Sequence, residues 1–359
     1  MKYNNWNLTK LINTKKLLQD DFMQTNNESI LDDLYLIEQI INDSISLFPI
    51  PISFYEKIQN DIIVMEQYDY FLESINKLIN AKTYIPSLED YKLERYQTLN
   101  CSFILGFTHD FYNSLDHDIA SLFNHEFKNR KDNIRFTNKR SSSIYLPYSK
   151  QSYINIARNK TVEDFINCIH EYGHVIADQI RFRENYYNYP FVELASMFFS
   201  LLAYDRLIDD FEDMDKDVVK LRVVEAKTIE KNALMINLFN IYYNENDLIL
   251  SRKKTTKDMK RKLNKKILFI KELLEMSNIE RYSYVLPYMV AIELYMIYLE
   301  DPEKAFYLLK EIIKMDEQDN YLIKLEDMNI HISQSTNEFF KTLKKKWYKL
   351  NIHFFFIII

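Results

Sequence analysis

Residues 159–182, NKTVEDFINCIHEYGHVIADQIRF, decide how this chain is read. Apolar residues recur at spacings of three and four, Thr161 stands where an N-cap belongs, and Glu163 and Asp164 occupy the positive first turn of the helix this implies. The HEYGH pattern therefore falls mid-helix. Residues four apart lie on one helical face, so His170 and His174 can present an imidazole nitrogen each to a single metal ion. Glu171 projects to the side of that clamp, where a carboxylate can take a proton from a metal-bound water. Gly173 costs about 1 kcal/mol relative to alanine inside a helix. The whole chain contains only two glycines, so its place in the motif points to close approach by another backbone or by a substrate.

A catalytic zinc keeps one coordination position open and takes its other three ligands from the protein, so a third donor is needed. Ala177 and Ile180 stand where a glycine and a third histidine would continue the motif on the same helix, which removes that solution. Downstream, FVELASMFFSLLAYDRL, residues 191–207, places Glu193 at the start of an apolar helical run. An unpaired charge there is costly, and a bound cation offsets the cost. His125 and Glu126 in FNHEFKNR lack a second histidine and read as solvated helix residues.

Composition narrows the alternatives. The 359 residues carry a net charge of -6 and are 47% apolar, enough for a substantial core and without the basic excess of a nucleic-acid binder. Isolated glycines cannot write a Rossmann, Walker or kinase glycine loop. Two cysteines, Cys101 and Cys168, without metal-finger spacing fit a reducing cytoplasm. The amino terminus lacks the unbroken apolar core of a signal peptide, and no apolar run is long enough to span a bilayer. The run at 251–266 holds nine basic residues and one acidic and reads as a solvated segment, while the tail HFFFIII is too short to span a membrane.

Most of the chain shows helical periodicity, so the expected class is mainly α, with residues 1–130 as a helical subdomain and 131–359 as the catalytic region, or the two as one continuous domain. Residues 143–157, SIYLPYSKQSYINIA, alternate instead and read as a short β-element next to the motif helix, preceded by a polar, basic loop. Its stretch 152–157 is a candidate surface for pairing with an extended peptide.

At this point the chain resembles the M3 family of zinc metallopeptidases, the thimet oligopeptidase and oligoendopeptidase F group. YINIARNKTVEDFINCIHEYGH, 153–174, matches that family's strand, turn and HExGH helix, and FVELAS, 191–196, matches the segment whose glutamate is the third zinc ligand. RYSYVLPYMVAIELYMIYLEDPEKA, 281–305, is similar to the tyrosine-rich helix that closes the family's active site. The resemblance covers about half the chain, residues 143–315, and implies a shortened member with a more open cleft. It also implies one Zn²⁺ held by His170, His174 and Glu193, with Glu171 as the base. Tyr282, Tyr284 and Tyr288 are its candidates for stabilising an oxyanion. Pro287 stands where the family has a glycine, and Ser200 where many members have an acid. The expected activity is hydrolysis of peptide bonds. A metal-binding protein that captures peptides without cleaving them, and a metal-free helical interaction protein, are the competing readings.

Overall fold

The computed structural model describes residues 8–27, 29–45, 92–183, 191–226, 228–229, 284–315, 321–330, 338–339, 341–343 and 345. Tyr282, the basic run 251–266 and the apolar tail lie outside them. The architecture is mostly helical with a small three-stranded sheet. Helices α1 (Leu8–Thr25) and α2 (Ser29–Ile45) form a hairpin, followed by α3 (Cys101–Asn113) and α4 (His117–Phe127). Strands β1 (Ile134–Thr137), β2 (Ser142–Leu146) and β3 (Gln151–Ala157) lead into the motif helix α5 (Glu163–Arg183), then α6 (Leu194–Asp210) and α7 (215–226). After these come α8 (Val285–Glu300), α9 (Pro302–Ile313) and the short α10 (Tyr321–Asp327).

Local chemistry sets several of these boundaries. Asn100 caps α3 by accepting the Phe103 N–H, Asp116 caps α4, and Asp301 caps α9 with Pro302 just inside it. Pro287 sits in the first turn of α8, where no intrahelical N–H is required, so it does not break the helix. Thr161 does not cap α5. Its hydroxyl has no hydrogen-bond partner among the described residues, and the buried Asp164 carboxylate instead accepts the backbone N–H groups of Asn159 and Lys160 at 2.8 and 3.0 Å. The entering chain is thus tied down from within the helix.

Helix α6 is buried from Leu194 through Tyr204, and α8 from Val285 through Tyr295. Helices this apolar all round belong at the centre of a protein, and α6 packs between α5 and α8. A single hydrophobic core joins α3 and α4 to α5, α6, α8 and α9. A second, smaller cluster lies under the α1–α2 hairpin and takes in Leu146 and Tyr153. The sheet stands between the two clusters: Ile154 and Ile156 enter the main core, whereas Tyr153 faces the hairpin, as the two-residue strand period requires.

The strand order is β1-β3-β2, with β1 parallel and β2 antiparallel to β3. This corrects two expectations. The basic loop before residue 143 contains a strand of its own, β1, too short to show alternation. Moreover, β3 is the interior strand: residues 154–157 pair with β1 and residues 151–155 with β2, and the Ser152 N–H is taken by the Glu126 carboxylate at 3.1 Å. A peptide therefore has no edge to join along residues 152–157. Glu126 is a further correction, since it is buried against β3 rather than solvated. Among the described residues, no helix is long and apolar enough to cross a membrane.

Candidate metal centre

The site is built where α5 and α6 cross. At Gly173 an added Cβ would stand 2.5 Å from Ser196 Cα and 2.9 Å from Ser196 N, closer than atoms can approach. The missing side chain lets the start of α6 lie directly on the motif helix, which settles the close approach expected at this glycine as one between backbones. Glu193, the residue before α6, is thereby brought over the histidines. Its backbone carbonyl accepts the Ser196 hydroxyl at 2.8 Å, which fixes the first turn. From the other side, Tyr112 donates to the Ile169 carbonyl at 2.6 Å and anchors α5 next to His170.

The Nε2 atoms of His170 and His174 lie 3.2 Å apart. Glu193 Oε2 stands 3.3 Å from His170 Nε2 and 3.2 Å from His174 Nε2. Four ligands at about 2.0–2.1 Å from a tetrahedral centre are separated from one another by about 3.3–3.4 Å. The three donors thus form a triangle the size of one face of a tetrahedral zinc site. Among the described residues, this is the group of His, Cys, Asp and Glu whose ligand atoms converge in a way that could hold a metal ion.

The charges agree with that geometry. Burial alone would lower the His174 pKa, but the charge and hydrogen bond of Glu193 outweigh it and raise the imidazole to about 9. Burial likewise pushes Glu193 up, and the two imidazoles overcome this to hold it well below the usual carboxylate range. The centre is therefore a strong acceptor for a positive charge, proton or metal.

Glu171 is 5% exposed, and burial raises its pKa against the lowering effect of the two histidines and of a hydrogen bond from Ser143 on β2. Tyr284, just before α8, reaches the same place: burial first, then the charge of Glu193 and a hydrogen bond to it, raise its phenol. Tyr288 does not join them. It is fully buried, with its ring against Phe339, no hydrogen-bond partner for its hydroxyl among the described residues, and Glu225 and Arg222 as its charged neighbours. The structure thus brings together His170, Glu171, His174, Glu193 and Tyr284.

Two further residues were not singled out from the sequence. Ser143 lies within SSSIYL, whose alternation could have marked it as facing the motif helix. Glu225 on α7 is held up in pKa by burial, lowered in turn by the His170 charge and by a hydrogen bond from Tyr204, and it leaves Oε2 unpaired among the described residues. Its position behind His170 had no local signal. Cys168 points away from the centre into the core, where burial pushes its thiol to about 12. Asp178, one turn past His174, pairs with Arg181.

No family model matches the chain, and no curated protein matches it. Among solved structures, a Chlamydophila abortus protein assigned as a peptidase superposes with a TM-score of 0.52 at 15% identity, over 81% of this chain and 55% of that one. A protein of Bacillus anthracis strain Ames assigned as an oligoendopeptidase F gives 0.49 at 14% identity, over 93% of this chain and 61% of that one. PZ peptidase A with an inhibitor gives 0.48 at 12% identity, over 91% and 66%. The chain spans less than two thirds of the length of each of these structures. The first likeness establishes a shared fold at remote sequence distance.

Proposed function

We propose that the chain is a zinc-dependent peptidase of the oligoendopeptidase type, with His170, His174 and Glu193 as metal ligands. The observation that carries this reading is the donor triangle with edges of 3.2–3.3 Å, flanked by one buried carboxylate and one phenol. Zn²⁺ in such a site supplies a Lewis acid for a carbonyl oxygen and makes water more acidic. The chain's own residues do the remainder. Glu171, with its pKa raised by burial, is suited to take the proton of the attacking water and to return it to the departing amine. Tyr284, whose phenol burial and Glu193 push up in pKa, can turn from Glu193 to donate to the oxyanion that forms at the carbonyl.

The substrate surface moves from β3 to β2. As the outer strand of the sheet among the described residues, packed on α5 and placing Ser143 at Glu171, β2 lies beside the reacting groups. A peptide in extended form can add there as a fourth strand. The test is direct. Protein purified without added metal should contain about one zinc per chain by elemental analysis, and it should cleave members of a diverse peptide mixture read by mass spectrometry. Absence of zinc would leave a helical interaction protein, and zinc without cleavage a peptide-capture protein.

A further inference from the structure

Helix α6 carries two buried serines one turn apart, and their hydroxyls have different surroundings. Ser200 donates to the Ser196 carbonyl at 2.7 Å, a bond that stays within the helix. Ser196 donates to the Glu193 carbonyl at 2.8 Å, and the same hydroxyl lies 3.4 Å from Glu193 Oε2. That oxygen stands 3.3 and 3.2 Å from the two imidazoles, so Ser196 reaches the very atom offered to a metal. Hydroxyl bonds to the preceding turn do not by themselves favour serine, because alanine is the better helix former. Small size fits position 196, where the backbone lies against Gly173. Alanine is smaller still, so the hydroxyl has another use.

We propose that Ser196 is a positioning residue for the third metal ligand: its hydroxyl holds Glu193 Oε2 over His170 and His174, so that one carboxylate oxygen and not both faces the ion. This deepens the metal-centre reading and rests on it. A carboxylate oxygen has more than one lone pair, so Oε2 can accept a hydrogen bond while another lone pair faces a cation. The hydroxyl has one proton, and rotation about Cβ–Oγ moves it between the carbonyl and Oε2. The other groups that act on the carboxylate are drawn away when the site is in use. Histidines that ligate an ion turn their Nε2 lone pairs to it and no longer donate to Glu193. Tyr284, which hydrogen-bonds Glu193 from the start of α8, is needed at the oxyanion. Ser196 sits on the same turn as the ligand and moves with it, so it is the donor that stays.

The experiment compares the full chain as wild type, Ser196→Ala, Ser196→Thr and Ser200→Ala. Zinc affinity is measured by competition with a chelator, and stability by thermal unfolding of the metal-free protein. Each alanine removes one buried hydroxyl bond to a backbone carbonyl, so both should lower Tm alike, by about 2–4 °C. Ser196→Ala should also raise the Kd for zinc about 10- to 100-fold, the usual effect of losing a group that orients a ligand. Ser200→Ala should leave zinc binding unchanged, which a merely structural role for Ser196 does not predict. Co²⁺ bound in place of zinc should absorb more weakly in the visible in Ser196→Ala, because the freed carboxylate brings its second oxygen to the ion and the coordination number rises. Unchanged zinc affinity in Ser196→Ala, or an equal loss in Ser200→Ala, overturns the proposal. Should Ser196→Ala not fold, Ser196→Thr decides, since it keeps the hydroxyl: zinc retained supports the proposal, and zinc lost overturns it. Zinc affinities that respond as expected in a chain that cleaves no peptide support Ser196 while the peptidase reading fails, and a wild type that binds no zinc overturns both.

Discussion

Helix α6 carries a carboxylate near each end, and the two have opposite surroundings. Asp205 meets a permanent cation: Arg222 donates to it at 2.8 Å, Tyr295 donates its hydroxyl, and the rings of Tyr204, Tyr295 and Phe339 lie 5.0–5.8 Å from the guanidinium. Glu193 meets two imidazoles at 3.2 and 3.3 Å, neither of which is a permanent cation. One centre closes its charge with protein atoms, whereas the other converges acceptors on a point and leaves the positive charge to be supplied. That distinction separates a polar group that holds helices together from one whose donors could hold a metal.

The largest expected effect is on catalysis at the open centre. Glu171→Gln should lower kcat by about a hundred- to ten-thousand-fold, the usual contribution of a general base, while zinc content and Tm stay at wild-type values. Activity that survives the substitution would remove the base from the mechanism. At the closed centre the effect should fall on stability alone. Arg222→Leu removes a buried guanidinium from Asp205, whose side chain is 30% exposed and can be hydrated, and should cost about 1–2 kcal/mol in denaturant unfolding, with zinc stoichiometry unchanged. Adding Asp205→Leu should recover part of that loss; a double variant no more stable than the single would show that the pair is not what Arg222 contributes.

Metal should act on one centre and not the other. Zinc at about a hundred times its Kd should stabilise the wild type by about 2.7 kcal/mol, and should do the same for Arg222→Leu but nothing for His174→Ala. An equal gain in all three would mean that zinc binds elsewhere. Smaller still is the effect of Gly173→Ala. Helix propensity alone makes alanine the better residue by about 1 kcal/mol, but its Cβ would meet the Ser196 backbone at 2.5 Å. The helices must then separate, so a net loss of about 1–3 kcal/mol is expected together with weaker zinc binding, because Glu193 moves with α6. A stabilising alanine would show that the crossing of α5 and α6 has room for a methyl group.

These contrasts also explain what the sequence could and could not reveal. His170, Glu171 and His174 were legible because an i, i+4 spacing within a periodic segment fixes a shared face before any tertiary contact exists. Glu193 was legible because a charge among phenylalanines and leucines demands a partner. The sheet was legible only in part: β2 and β3 alternate, but strand order depends on β1, whose four residues IRFT pair with a strand about twenty positions away and show no periodicity. Hence alternation alone does not distinguish the interior strand β3 from the outer strand β2. The Asp205 centre was invisible, since Arg222, Tyr295 and Phe339 come from separate segments with no spacing to link them. Tyr284 needed the resemblance to be noticed, one tyrosine among 27.

The open centre should also be the one that responds to pH. Without metal, burial opposes the His174 charge, but the Glu193 charge and hydrogen bond outweigh it and raise His174 from the ordinary 6.5 to about 9, so its contribution to stability is complete below pH 6.5 and is lost as pH rises through about 9. Glu193 has the opposite sign: its lowered pKa contributes above pH 4.5 and is lost as pH falls. The metal-free protein should therefore hold both contributions between about pH 4.5 and 6.5. Zinc must displace the His174 proton, so its apparent affinity should rise by at most about tenfold per pH unit toward pH 9 and level off above. In the zinc-loaded protein the alkaline loss of stability should disappear, because His174 then has no proton to release. The Arg222 centre contributes nothing to this slope, since its guanidinium stays charged throughout. Isothermal titrations with zinc at pH 6.5, 7.5, 8.5 and 9.5, run on wild type and Arg222→Leu, should give parallel curves; a flat curve in either would mean that the proton on His174 is not what zinc replaces.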